Sequence, residues 1–378
     1  MLGLGIIEPI LPLYARHMGA SGVLLGMIFS SFALTRGLSA PFAGQYSDRK
    51  GRRLMILSGL AALIVLSLAY TWVESAWWLM VVRGLQGLAS VLVAPIAQSY
   101  VGDITPEGKE GRYMNLFFIS FFGGQAVGPA MGGFLSDHFG LHMPFYAMSA
   151  MSALALALVF FLVPESPGTQ GAKSSPPLKM RSAFARVLGD GQMQGVLILM
   201  GSRGFYRWGF NTFFPVLALT QMSLSKTQVG VIVSFYMLAG AFLQYPAGIL
   251  SDRLIGHRRE VMFYGSILSP VMMFLVPWTQ NFYLLMLITL MMGIFSVVGR
   301  ASAVAIRTER GRVYGMGVVM GAFTTSISTG QVLGPVLFGV VADFFPLKDA
   351  FYFGGAVGLL GSLLSYALML KGVEGSQV

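Results

Sequence analysis

Twelve membrane-spanning helices in two related six-helix halves are predicted by three features of this chain: a long-period internal repeat, a very apolar composition and a one-sided distribution of basic residues. Gly26, Gly44 and Ser47-Asp48-Arg49 recur 204 positions later as Gly230, Gly248 and Ser251-Asp252-Arg253. Gly124-Gln125, Gly128-Pro129 and Asp137 recur 206 positions later as Gly330-Gln331, Gly334-Pro335 and Asp343. The offset changes because DRKGRR in the first copy has lengthened to DRLIGHRR in the second. Such a period means two equivalent halves, and in an apolar chain it predicts the pseudo-symmetric architecture of secondary transporters.

Hydrophobic residues make up 55% of the chain and charged residues 11%, with a mean hydropathy of +0.71. A soluble domain carries roughly a quarter charged residues, so a polytopic membrane protein is expected. Apolar stretches fall at approximately 1–18, 23–46, 54–73, 77–101, 113–137, 143–163, 193–219, 228–250, 260–279, 282–304, 313–340 and 350–370. Each is long enough to cross a bilayer core, which takes roughly 17 residues or more. Residues 164–190, rich in Pro, Ser and Gly, read as a linker, giving an N-terminal bundle over 1–163 and a C-terminal bundle over 191–378. The first stretch has no basic flank, so a cleaved signal peptide is not expected.

Basic residues supply the orientation. Arg49, Lys50, Arg52, Arg53, Lys109, Arg112, Arg253, Arg258, Arg259, Arg307, Arg310, Arg312, Lys371 and the basic residues of the linker fall on one side, against Arg16, Lys226 and Lys348 on the other. The positive-inside tendency places both termini and the linker in the cytoplasm. The formal charge of +10 reads as this signal plus attraction to anionic headgroups. Nothing resembles a basic domain built for nucleic acid. The chain has no cysteine, which removes disulfides and thiolate metal sites. No metalloprotease, serine-hydrolase or phosphate-loop motif is present, so no enzyme activity, cofactor or metal is expected and energy must come from a gradient.

Taken in chain order, four motifs carry a family resemblance. Pro9-Ile10-Leu11-Pro12-Leu13-Tyr14 lies in the first span, and Gly44-Gln45-Tyr46-Ser47-Asp48-Arg49-Lys50-Gly51-Arg52-Arg53 follows the second. Arg83-Gly84-Leu85-Gln86-Gly87 lies in the fourth, and Gly124-Gln125-Ala126-Val127-Gly128-Pro129-Ala130-Met131-Gly132-Gly133 in the fifth. Together they resemble the signatures of the major facilitator superfamily, the fifth-span motif being similar to that of its proton-coupled exporters. The resemblance implies the superfamily's twelve-helix fold and a part for Arg83 in proton coupling, with a structural role for Arg83 the alternative.

The residues also speak for themselves. Asp48, on the turn after the second span, is expected to accept from backbone donors at a neighbouring helix N-terminus. Arg52 needs a carboxylate, and Asp103 is the best candidate; 206 positions on, the pair becomes Arg258 and Glu309. With Gly44, Gly51 and Asp252 these residues read as a cytoplasmic gate of ionic latches, or else as charged turns that fix topology. Gly124, Gly128 and Gly132 line one helix face and allow close backbone approach, with Pro129 beside them. Gly330, Gly334 and Pro335 repeat the device, as a helix-packing gate or as ordinary small-residue packing. Phe338 stands where Gly132 would recur, so the second copy is expected to pack less tightly.

Ionisable groups within a bilayer cost several kcal/mol unless paired or hydrated. Glu8 is the one acid placed deep in an apolar stretch. It is expected to share a face with Gly5 and Pro12, as a proton carrier or as the permanent partner of an arginine. Arg203, Arg207 and Asn211 make a stripe at intervals of four, and with Arg36, Gln125 and Gln331 they are the substrate-cavity candidates. One acid cannot neutralise Arg36, Arg83, Arg203, Arg207 and Arg300. Either the cavity is positive and attracts an anionic substrate group, or several guanidiniums are satisfied by carbonyls and snorkel to the interfaces, as is expected of Arg300 near the cytoplasmic end of its helix.

The expected activity is proton-driven antiport that exports amphipathic small molecules or drugs, by a monomer rocking about a midplane cavity in a bacterial inner membrane. The partners expected are the substrate, protons and the lipid bilayer. The alternatives are a transporter of organic anions or anionic lipid-linked molecules, and a non-transporting receptor or scaffold on the same fold.

Overall fold

The computed structural model describes residues 1–106, 109–165 and 187–374. The linker expected at 164–190 therefore lies largely outside the described residues. The described chain is helical: α1 (Leu2–Ile7), α2 (Leu11–His17), α3 (Gly22–Lys50), α4 (Arg52–Trp72), α5 (Ala76–Val91), α6 (Ala94–Ile104), α7 (Glu110–Phe139) and α8 (Met143–Leu162). There follow α9 (Gly191–Gln221), α10 (Lys226–Phe242), α11 (Gln244–Arg253), α12 (Arg258–Leu275), α13 (Phe282–Tyr314), α14 (Met316–Phe344) and α15 (Leu347–Glu374). Among the described residues, eight helical stretches are long and apolar enough to cross a membrane, and α10 with α11 form a ninth bent by 41°.

The three remaining predicted spans depart from a plain apolar helix, each for a local reason. The first is broken at Glu8-Pro9-Ile10, between α1 and α2. Pro9 has no N–H to donate, so the hydrogen-bond ladder is interrupted there. Glu8 therefore C-caps α1, its N–H donating to Gly5 O at 3.3 Å. The Gly5–Glu8–Pro12 face expected from the sequence thus spans this break, with Gly5 in α1 and Pro12 in α2. The other two, α7 and α9, are long but diluted by glycine and polar side chains, among them Gln125 and the Arg203–Arg207–Asn211 stripe. The fourth predicted span is also interrupted, at Leu92-Val93 between α5 and α6, with Pro95 in the first turn that follows.

Helix ends follow from caps and glycine. Ser21 Oγ accepts from Leu24 N, Asp190 from Gln192 N and Met193 N, and Asn281 from Tyr283 N and Leu284 N. Each satisfies N–H groups that a helix start leaves unpaired. Gly51 (φ +99°) turns the chain from α3 into α4, and Gly315 (φ +96°) from α13 into α14, a backbone region costly for any residue with a Cβ. Trp72, Trp77, Trp78 and Trp278 stand exposed near helix ends, where amphipathic rings anchor a protein at a membrane interface.

Two compact units result. One comprises Met1–Ser174 with Ser223–Ser234, the other Ser175–Met222 with Phe235–Val378. In the first, α1 packs on α7 and α8, α4 on α5 and α8, and α3 on α5; in the second, α9 packs on α14 and α15, α12 on α13 and α15, and α11 on α13. These are the same pairings in equivalent order, so the sequence repeat is also a packing repeat. The core of the second unit includes Val196, Met200, Ala303, Ile306, Val319, Ala322 and Met369.

Candidate functional site

Three groups of functional side chains are assembled within the units. The first is an arginine clamp that occurs once in each. Gly51 ends α3 so sharply that Arg52, first residue of α4, folds back over Ser47 and Asp48. Its Nε donates to Asp103 Oδ2 at 2.6 Å, and Nη1 lies 2.7 Å from Asp48 Oδ1 and donates to Ser47 Oγ at 2.9 Å. Ser47 Oγ in turn donates to Gly44 O at 2.8 Å. In the second unit Arg258 pairs with Glu309 and, at 3.1 Å, with Asp252, while its Nε donates to Ser251 O at 3.2 Å. The Arg52 side chain is only 13% exposed and that of Arg258 11%, so each guanidinium is more sheltered than the carboxylates that hold it.

Asp48 corrects its expected role. It is turned to Arg52, and the neighbouring helix N-terminus is capped by another acid: Glu165 Oε1 accepts from Arg53 N at 3.1 Å. A Cβ on Gly51 would come within 2.7 Å of Glu165 Oε2, the movable end of that side chain, so it is the φ of +99° that calls for glycine. Glu165 carries no signal in the sequence, being 112 residues from its partner.

The second group is a buried polar chain in the first unit. Arg83 is 4% exposed; its Nη1 donates to Gln86 Oε1 at 2.6 Å and its guanidinium lies over Phe32 and Phe29, 4.5 and 5.2 Å from the ring centroids. Tyr70 Oη donates to the same Gln86 oxygen at 2.9 Å, and Tyr14 Oη to Tyr70 O at 3.0 Å. Among the described residues no ion pair joins Arg83 to a carboxylate. Aromatic faces and one amide oxygen hold this cation, and its Nε has no hydrogen-bond partner. Tyr14 and Tyr70 were not visible as a site from sequence, because their contacts cross helices 56 residues apart. Glu8 is half-buried at the α1–α2 break, in the same unit.

The third group is a row of arginines in the second unit. Arg203 Nε donates to Ser296 Oγ at 2.9 Å, which brings α9 onto α13. Arg207 lies over the Tyr236 ring at 5.7 Å and Arg307 over Phe323 at 4.5 Å; the Nε of each is buried without a partner. Asn211 is 6% exposed, with Oδ1 likewise unpartnered. Arg36 belongs to the other unit, half-buried on α3. Gln125 and Gln331, both half-buried, mark helix crossings: Gln125 O lies 2.7 Å from where a Cβ of Gly5 would stand, and Gln331 N 3.5 Å from that of Gly204.

The glycine faces have defined partners. A Cβ on Gly124 would stand 3.2 Å from Leu2 N and one on Gly128 2.6 Å from Gly5 Cα, while one on Gly132 would overlap Ile6 O. Gly330 and Gly334 abut Gly201 and Phe205 in the same manner. Helix α7 continues through Pro129 and α14 through Pro335. The looser packing expected at Phe338 is corrected: the ring is fully buried, and it fits because Gly209 and Gly354 leave room where their side chains would be. Phe205, Phe213, Phe351 and Phe353 surround it.

Comparison with known proteins places this geometry. The family model described as Major Facilitator Superfamily matches residues 1–205 and 196–376. An uncharacterized MFS-type transporter of Methanocaldococcus jannaschii is 27% identical, over 97% of this chain and 94% of that protein. Multidrug resistance protein 1 of Bacillus subtilis is 25% identical, over 97% of this chain and 92% of its own. Among solved structures, the nucleoside transporter NupG superposes with a TM-score of 0.79 at 16% identity, covering 97% of this chain and 96% of that one. The chain is a multi-span membrane transporter, not an enzyme, and it belongs to the major facilitator superfamily.

Proposed function

We propose that this protein is a proton-coupled antiporter that exports amphipathic small molecules by alternating access, as a monomer with both termini in the cytoplasm. The observation that carries the reading is Glu8: a carboxyl at a break in the first span, in a chain matched over nearly its whole length by proteins named for multidrug and quinolone resistance. A carboxyl at such a break can exchange its proton with water without unwinding a helix, and its charge is costly in the bilayer. Arg83, held by Gln86 and aromatic rings, supplies a fixed positive field in the same unit. The Arg52 and Arg258 clamps would act as latches whose making and breaking accompanies the exchange of states. One charge crossing about 100 mV releases about 2.3 kcal/mol, which supports a roughly fifty-fold substrate gradient.

Purified protein in proteoliposomes, given a fluorescent amphipathic dye and an imposed pH gradient, tests this. Wild type should concentrate the dye against its gradient. Glu8→Gln should abolish that accumulation and retain downhill counterflow, since alternating access itself needs no charge at this position. Dye movement by the wild type that ignores the pH gradient, or full pH-driven accumulation by Glu8→Gln, would reject the reading.

A further inference from the structure

Four arginines of the second unit form a cationic track on two helices that pack together, Arg203 and Arg207 on α9 and Arg300 and Arg307 on α13. Ser296, the acceptor for Arg203, lies four residues before Arg300 on α13, and Arg307 lies seven beyond that, so all three share one helix face. Arg203 and Arg207 are one turn apart on α9, which packs on α13. Arg300 therefore stands one turn along α13 from the point at which Arg203 of α9 meets it. All four are at least half-buried. The ion pairs described in this unit use Asp190, Asp252 and Glu309, and they go to Arg310 and Arg258; among the described residues none reaches these four.

This is an expensive arrangement. Like charges gathered where water is scarce destabilise one another and the fold, and the Ser296 hydroxyl compensates only one N–H. An anion that enters the track removes both penalties together. Guanidiniums are suited to it because their planar fork donates two parallel hydrogen bonds to a carboxylate, sulfonate or phosphate. The buried rings of Tyr236 and Phe323 lie against Arg207 and Arg307, with Phe210 packed on Tyr236 behind them, so the charges stand on an apolar floor. Asn211, one further turn along α9, places a buried amide next to the track.

We propose that Arg203, Arg207 and Arg300 form a binding site for the anionic group of an amphipathic molecule, with Arg307 as its approach. The inference rests on the transport reading for its purpose but not for its measurement, because binding is read without any gradient. The anion has two possible sources, a free organic acid or the headgroup of an anionic phospholipid.

The test uses full-length protein in nanodiscs of pure phosphatidylcholine, with a dansyl-labelled fatty carboxylate and a quaternary ammonium of the same body as probes. The carboxylate should bind about tenfold more tightly than the ammonium. Arg203→Gln and Arg207→Gln should each weaken the carboxylate by about tenfold and leave the ammonium unchanged. Arg207→Lys, which keeps the charge but loses the fork, should fall between. Should the Gln variants fail to give monodisperse protein, the wild-type probe pair and the Lys variant decide. Adding phosphatidylglycerol distinguishes the sources: displacement of the carboxylate means that a lipid headgroup fills the site, and no displacement means a free amphipathic acid. Equal binding of the two probes, or carboxylate binding unaffected by the arginine substitutions, overturns the proposal. Carboxylate selectivity in a protein with no pH-driven transport would keep the site and reject the coupling; pH-driven export without anion selectivity would do the reverse.

Discussion

Arg52 reaches across 51 residues to Asp103 at 2.6 Å while also holding Asp48 at 2.7 Å, so one guanidinium ties the end of α3 and the start of α4 to the end of α6. Arg258 ties Asp252 and Glu309 at the equivalent positions of the second unit. The clamp is partly wet, which limits its worth to about 1 kcal/mol. That is still enough to shift a conformational balance about fivefold.

The first prediction follows from that shift. Arg52→Ala should redistribute spin-label distances across the α3–α4 turn and slow transport a few-fold, with membrane insertion unchanged. Exchanging the charges, Arg52→Asp with Asp103→Arg, should recover part of the rate. Distances that are identical in wild type and Arg52→Ala would remove the latch.

A second prediction separates glycines that pack from one that does not. Gly128 and Gly132 on α7 touch the backbone of α1, whereas a Cβ on Gly44 meets open space. Gly132→Ala should lower thermal stability in detergent by about 1–3 kcal/mol, the usual cost of overpacking. Gly44→Ala, inside helix α3, should be neutral or stabilising by up to about 1 kcal/mol. Equal effects of the two on the melting temperature would show that close approach is not what Gly132 serves.

Arg83 and Gln86 should act as one unit, because Gln86 Oε1 accepts from both Arg83 and Tyr70. Arg83→Ala and Gln86→Ala should therefore be strongly non-additive in pH-driven transport, with a coupling of about 0.5–3 kcal/mol in a double-mutant cycle. Arg83→Lys should retain the fold and lose much of the pH-driven rate, since an ammonium cannot match the planar contact with Phe32. Simple additivity would argue that the chain from Tyr14 to Arg83 is only packing.

Asp137 closes a contact that its sequence position alone did not suggest. Its Oδ2 accepts from Thr227 N at 2.7 Å and Thr227 Oγ1 at 2.6 Å, with Lys226 Nζ 3.9 Å from its other oxygen. It thus caps the start of α10 from the end of α7. Asp137→Ala should destabilise this corner by about 1 kcal/mol, and Asp137→Asn by less, because the amide oxygen still accepts. Faster hydrogen exchange at Thr227 and Gln228 in Asp137→Ala would register the loss; unchanged exchange would show that the cap does not order the helix.

Much of this protein was decided locally and so could be read from the chain. Apolar length specifies a crossing helix because the bilayer leaves few alternatives. The repeat specifies two like units, and it pointed to Arg52 with Asp103 and Arg258 with Glu309, since paired charges kept at one offset imply paired positions. What stayed hidden depends on atoms brought together from distant segments. Glu165 over Gly51, Tyr70 on Gln86 and the fit of Phe338 between Gly209 and Gly354 have no periodicity to announce them. The arginine stripe on α9 was visible at its spacing of four, but its meeting with Ser296 and the arginines of α13 was not. Spacing along one helix determines only which side chains share a face, whereas helix packing decides what that face meets.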